Sequence, residues 1–196
     1  MDETRLNHIE RDTMDRRVAR TKKLIVDAFL KLLKKKGFEK VTIQDIADAA
    51  DVNRGTVYLH FQDKYDLMDY CIDSYVGELL TQCSGSDEIK IKEDAFRMIF
   101  DYLEENQKIY KLLLENDKTG SFHRKMESAV EQQVRLAVTE AMGQEGVSAD
   151  IFTQFLVSGF LGIIDWWIRS GAACSAEEMT EKMMEFIKRL SNGGIA

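Results

Sequence analysis

The stretch Val41–Met68, VTIQDIADAADVNRGTVYLHFQDKYDLM, decides how this chain folds. Thr42 stands three residues before Asp45, the spacing of a capping box, so a short helix opens there and carries Ile46, Ala47 and Ala49. Asp51-Val52-Asn53 reads as a turn, with Asn53 placed to cap a second short helix from about Arg54. That second helix sets Val57 and Phe61 on one side. Asp63 is then positioned to cap a longer helix bearing Leu67, Met68, Cys71, Ile72, Tyr75 and Leu79, which runs to about Cys83.

Upstream, Ile25, Ala28, Phe29, Leu32 and Leu33 recur at helical spacing and predict an amphipathic helix from about Arg17 to Lys36, stopped by Gly37. Two short helices across a tight turn, braced by an amphipathic helix in front, have the layout of a helix-turn-helix DNA reader. The second short helix reads Asn-Arg-Gly-Thr-Val-Tyr-Leu-His over 53–60, a face that shows Arg54, Thr56, Tyr58 and His60 with almost no apolar cover. Something polar should meet that face.

Downstream, Ser84-Gly-Ser-Asp-Glu88 is small and polar and reads as a linker. Beyond it the periodicity predicts helices at about Asp94–Glu105, Gln107–Asn116, Phe122–Met142, Ala149–Arg169 and Ala176–Leu190. The expected fold class is therefore all-α, with about nine helices in three parts: an N-terminal arm over 1–15, a helix-turn-helix domain over 16–83 and a helical regulatory and dimerisation domain over 84–196. The absence of proline and the abundance of strong helix formers agree with this and exclude a sheet-rich architecture.

A net charge of −7 argues, taken whole, against an anionic partner. The distribution reverses that conclusion for one end of the chain. Between Arg16 and Lys40 stand ten basic side chains against two acidic ones, whereas residues 71–196 carry 13 basic and 21 acidic. A basic N-terminal part is thus joined to an acidic remainder. Lys34, Lys35 and Lys36 fall in the last turn of the first helix, where the helix dipole favours cations whatever their partner. Cys71, Cys83 and Cys174 are odd in number and lack C-x-x-C spacing, so neither a disulfide framework nor a metal site is expected. The first fifteen residues are polar and include five acids, unlike a secretory signal. Ile151–Ile168 is the longest apolar stretch; interrupted by Thr153, Gln154, Ser158 and Asp165, it reads as a buried helix rather than a membrane span. A reducing, cytoplasmic compartment is the simplest expectation.

Val41–Met68 also resembles the DNA-binding signature of the TetR/AcrR family of bacterial transcriptional regulators. The resemblance rests on Gly37-Phe38, Thr42, Ile46-Ala47, Gly55-Thr56-Val57-Tyr58, and Phe61 followed by Asp63-Lys64 and Leu67. Phe155, Gly159, Gly162 and Trp166 to Gly171 are similar, more weakly, to the C-terminal region of DhaS-type members. The resemblance implies that Thr42 and Gln44 sit near the phosphate backbone. It places Asn53, Arg54, Gly55, Thr56, Tyr58 and His60 on or beside the major groove, and gives Lys64 a phosphate. The residue chemistry suits those places, since Arg can read guanine, Thr can offer a methyl group to thymine, and hydroxyl groups can hold phosphates. The Arg16–Lys23 cluster would approach the DNA backbone or minor groove from the arm.

Reading an operator with a single such motif per chain requires a two-fold dimer. The expected interface comprises Phe155, Ser158, Gly159, Gly162 and Trp166, together with Met179, Met183, Phe186, Ile187 and Leu190; an ordinary intrachain core accounts for the methionine stripe equally well. Phe96, Ile99, Phe100, Leu103, Tyr110, Leu114, Phe122 and Met126 are candidates to line an effector cavity, although aromatic rows at this spacing also build plain cores. The overall expectation is a dimeric repressor of a palindromic operator on double-stranded DNA, modulated by a small-molecule effector or a protein partner. Its alternative is a co-regulator or helical protein-interaction module. Neither a cofactor nor a membrane partner is expected. His8, His60 and His123 are isolated, and no nucleophile, metal or phosphate-loop motif occurs, so no catalytic role is expected.

Overall fold

A computed structural model describes residues 3–83, 93–143 and 146–191, and all the regular elements among them are helical. They are α1 (Glu3–Lys36), α2 (Ile43–Ala50), α3 (Arg54–His60), α4 (Lys64–Cys83), α5 (Glu93–Glu105), α6 (Gln107–Asn116), α7 (Ser121–Met142), α8 (Val147–Arg169) and α9 (Ala176–Ser191), with a single 3-10 turn at Phe38–Lys40. The linker expected at Ser84–Glu88 and the side chain of Leu190 lie outside the described residues. The chain packs as two units, divided within α4 after Cys71.

In the first unit, α1 begins at Glu3, well before the expected Arg17. No glycine or proline interrupts Glu3–Lys36, so nothing in the sequence stops the backbone ladder before Gly37. Gly37 ends it with a φ of 74°, a left-handed value that a side chain would resist. Ile25, Ala28, Phe29 and Leu33 bury one stripe of α1, and α1 packs on α2, whose Ile46, Ala47 and Ala50 are buried. Thr42 and Asp45 form the complete capping box, and Asp51 closes α2 in the left-handed region, at φ 55°. Such a φ is tolerated by Asp better than by most residues. Asn53 takes the N-cap position of α3, but its side chain makes no capping hydrogen bond. Asp63 does cap α4, its Oδ1 accepting from the backbone N–H groups of Tyr65 and Asp66 at 2.8 and 2.9 Å.

In the second unit α7 packs on α8, α5 on α9 and α6 on α8. Trp167 is the largest fully buried side chain; its ring meets Phe100 edge-on at 5.4 Å and its Nε1–H donates to the Cys174 carbonyl at 3.0 Å. Arg169 ties α8 to α6 by donating to the Leu114 carbonyl at 3.3 Å, while Lys111 donates to the Arg169 carbonyl at 3.1 Å. The α8 helix departs from expectation in two ways. It starts at Val147, two residues early, and it is not wholly buried, although it is long and apolar enough to cross a membrane by length and composition alone. The polar residues that interrupt its sequence do not break the helix, and one of its apolar faces is exposed among the described residues.

Candidate nucleic-acid interface

The α3 helix is held to its unit by Val57, which is fully buried, and by Phe61 just past its end. A seven-residue helix anchored on so few apolar side chains leaves most of its surface outside. Arg54, Gly55, Tyr58 and Leu59 are exposed and Thr56 and His60 half-buried, with His60 tilted against the Phe61 ring. Arg54 donates from Nη2 to the Tyr58 hydroxyl at 3.2 Å, and its guanidinium lies 5.5 Å from the centre of that ring. This i,i+4 pair holds a planar donor fork and a hydroxyl side by side on the outer face.

Two of the expected contacts are committed within the chain. Thr42 uses its hydroxyl in the capping box, at 2.5 Å from Asp45 Oδ2 and accepting from the Asp45 N–H at 3.2 Å. Lys36 adds an ion pair of 2.7 Å to the same carboxylate. These partners, Lys36 first and Thr42 next, hold the Asp45 carboxyl down at about 2. The arrangement therefore persists at ordinary pH and is lost only as the pH falls towards that value. Lys64, expected on a phosphate, directs its ammonium within the protomer at the carbonyls of Phe38, Glu39 and Val41 at 3.0, 3.2 and 3.2 Å, above the Phe38 ring at 4.6 Å. Three acceptors saturate three N–H donors. Lys64 thus clamps the 3-10 turn that leads into α2. Lys64→Met, which keeps the stem and removes the donors, is expected to cost about 2 kcal/mol and lower the melting temperature by roughly 4–8 °C. An unchanged melting curve would show that water serves those carbonyls equally well.

Gln44 is exposed, donating to Asp48 Oδ1 at 2.7 Å, and Asn53 is exposed at the head of α3. Among the basic side chains of α1, Lys22 is stacked over Tyr70 at 5.1 Å, whereas Arg17, Arg20, Lys23, Lys31, Lys34 and Lys35 are exposed. The sequence reading passed over Leu59, which is 82% exposed. The signal was present, because a residue two places from Val57 on a helix lies nearly opposite it.

In the second unit, most of the residues considered for an effector cavity are buried. Phe100, Leu103, Tyr110, Leu114, Phe122 and Met126 are buried, Phe96 and Ile99 half-buried. Rings of Tyr110 and Phe122 meet at 6.0 Å, Phe96 and Phe160 at 5.3 Å, and the Tyr110 hydroxyl donates to the Tyr75 carbonyl at 2.6 Å. Two open surface depressions lie away from these residues. One of about 620 Å³ opens at the α2–α3 corner between Asp48, Asp51 and Asn53, and one of about 300 Å³ lies between Ile163 and Trp166 of α8 and Lys182 and Phe186 of α9.

The interface candidates separate. Phe155 and Trp166 are each 55% exposed, and Ser158, Gly159 and Gly162 continue the same outward face of α8. A Cβ on Gly159 or Gly162 would meet nothing within 4 Å of its own chain, so packing within the protomer does not require glycine at either place. Phe186 is 43% exposed and Ile187 half-buried, but Met179 and Met183 are buried, α9 packing on α5. For those two the core accounts for the stripe.

Helices α1–α3, with their tight corner and outward polar helix, define a helix-turn-helix protein carrying a separate helical body. Residues 25–71 match the family described as bacterial regulatory proteins, tetR family, and residues 92–189 match a transcriptional regulator C-terminal region. The chain belongs to the TetR family of bacterial transcriptional regulators, and the relatives it matches are named as regulators rather than enzymes. It is 28% identical over 98 residues to the dhaKLM operon transcriptional activator DhaS of Lactococcus lactis, covering 50% of this chain and 51% of DhaS. The probable acrEF/envCD operon repressor of Escherichia coli is 23% identical over 192 residues, covering 87% of this chain and 86% of that protein. Among solved structures, a TetR transcriptional regulator from Streptococcus agalactiae superposes with a TM-score of 0.69 at 26% identity, covering 89% of this chain and 97% of that one. The chain spans about half the length of some curated relatives, 44% and 51% for two of them.

Proposed function

We propose that the protein represses transcription as a cytoplasmic homodimer, each protomer setting α3 in the major groove of one half of a palindromic operator. The observation that carries this reading is the outer face of α3: an Arg54–Tyr58 pair, a bare Gly55 backbone and an exposed Leu59 on a helix anchored through Val57. Asn53 and Gln44 flank that face, Thr56 and His60 lie at its edges, and Thr42 fixes the start of α2. The exposed cations of α1 supply positive charge for phosphates. In the body, the uncovered face of α8 with Phe155, Ser158, Gly159, Gly162 and Trp166, joined by Phe186 of α9, suits a second copy of the chain, because glycines let partner helices approach closely around the aromatic side chains. An effector would act by parting the aromatic core around Tyr110 and shifting the dimer away from the state whose two α3 helices match the operator. Repression rather than activation rests on sequence likeness to the acrEF/envCD repressor along most of both chains; the sequence match to DhaS, an activator, is shorter, although the DhaS structure covers 88% of this chain.

Selection of duplexes from a random library by the purified full chain, at two salt concentrations, tests the reading. A palindrome should be enriched, and its affinity should fall on the order of a thousandfold between about 50 and about 200 mM salt if some six phosphates are neutralised. Enrichment of no duplex at either salt would turn attention to the alternative, a helical body acting through a protein partner.

A further inference from the structure

The outer surface of α3 consists of two parallel rows one residue apart. Arg54 and Tyr58 form a polar row, locked by their 3.2 Å hydrogen bond. Gly55 and Leu59 form the neighbouring row, a stretch of bare backbone followed one turn later by an aliphatic side chain that is 82% exposed. Leu59 contributes little to the core of its own unit, where Val57 and Phe61 are the buried side chains of this segment. It also carries no donor or acceptor, so it can bond neither a phosphate nor the polar edge of a base. The apolar group that base edges present in the major groove is the 5-methyl group of thymine. Gly55, which has no side chain to hold the helix off, lets the row approach the groove floor closely enough for the leucine methyl groups to reach it.

We propose that Leu59 is a specificity-determining residue that selects thymine at one position of each half-site by covering its 5-methyl group. This rests on α3 being the element that enters the groove. Its test uses the full chain, the duplex recovered by the selection described above, and copies of that duplex with deoxyuridine replacing thymidine at one symmetry-related pair of positions at a time. Deoxyuridine lacks only the methyl group. At one pair, its introduction is expected to weaken binding by the unaltered protein about three- to fivefold per half-site, the worth of one buried methyl-sized contact. Leu59→Ala should bind the thymine duplex more weakly by at least that factor and be indifferent to deoxyuridine at the same pair. Its melting temperature should stay unchanged, because Leu59 is exposed. If Leu59→Ala keeps the full response to deoxyuridine, or if no thymine position responds in the unaltered protein, Leu59 is not the reader, although the recovered palindrome still establishes DNA reading. If no duplex is recovered at all, the DNA-reading proposal itself fails and Leu59 loses its role with it.

Discussion

Replacing Trp167 with alanine is expected to cost the protein about 3–5 kcal/mol of stability, the range for emptying a fully buried aromatic site. Trp167 is the largest side chain wholly removed from solvent. Its ring packs edge-on against Phe100 of α5, and its indole N–H supplies the Cys174 carbonyl in the turn between α8 and α9. Alanine would therefore leave a cavity between helices and an unserved carbonyl in the turn that orders them. Against the roughly 5–15 kcal/mol that holds an ordinary domain together, the loss is a large fraction. Trp167→Phe keeps most of the volume but gives up the hydrogen bond and part of the indole, so it should cost less, about 2 kcal/mol. Urea unfolding at fixed protein concentration separates the two, since an associating protein changes stability with concentration. Equal midpoints for Trp167→Ala and the parent would mean that the packing around Phe100 is not as described. Trp166, the next residue, is 55% exposed. Its alanine variant should leave the protomer's unfolding nearly unchanged and weaken the dimer proposed above.

These neighbouring tryptophans show what a sequence reveals and what it withholds. Both lie in one apolar run, and periodicity identifies the helix without telling which of its two apolar faces meets its own chain. The same limit applies to α9: Met179, Met183 and Phe186 share a stripe, yet the methionines are buried while Phe186 stays partly exposed, because the position of α5 decides the matter. Helix ends were more legible. Gln107–Asn116 and the Thr42–Asp45 cap are found as read, since caps and breakers act over three or four residues. The beginning of α1 was not, for want of any breaker before Gly37. Lys64 shows the limit most plainly: its acceptors lie 23–26 residues earlier in the chain, and no local pattern announces three carbonyls brought together by a 3-10 turn.

Gly55→Ala is expected to stabilise the fold and weaken operator binding in the same molecule. Gly55 lies in the first turn of α3 at an ordinary negative φ, so the left-handed freedom of glycine is not in use there. A Cβ built on it meets nothing within 4 Å. Nothing in the protomer thus requires glycine, while its lack of a side chain costs helix stability of about 0.5 kcal/mol, the low end of the usual range because the first turn is less demanding than a helix interior. A position that gives up stability with no structural return is best explained by a surface outside the chain that comes too close for a methyl group. If that surface is DNA, alanine forces the helix off the groove floor or distorts the contacts around it. Overpacking of this kind costs about 1–3 kcal/mol at each site, and a dimer pays it in both half-sites, so the total loss is roughly 2–6 kcal/mol, about thirtyfold at the least. Thermal unfolding and titration of the selected duplex measure the two effects independently. A variant that melts slightly higher and binds as before would place the close approach elsewhere on α3. One that melts lower would show instead that Gly55 answers a need inside the protomer. Opposite shifts in the two measurements are the outcome that only an external partner at this backbone explains.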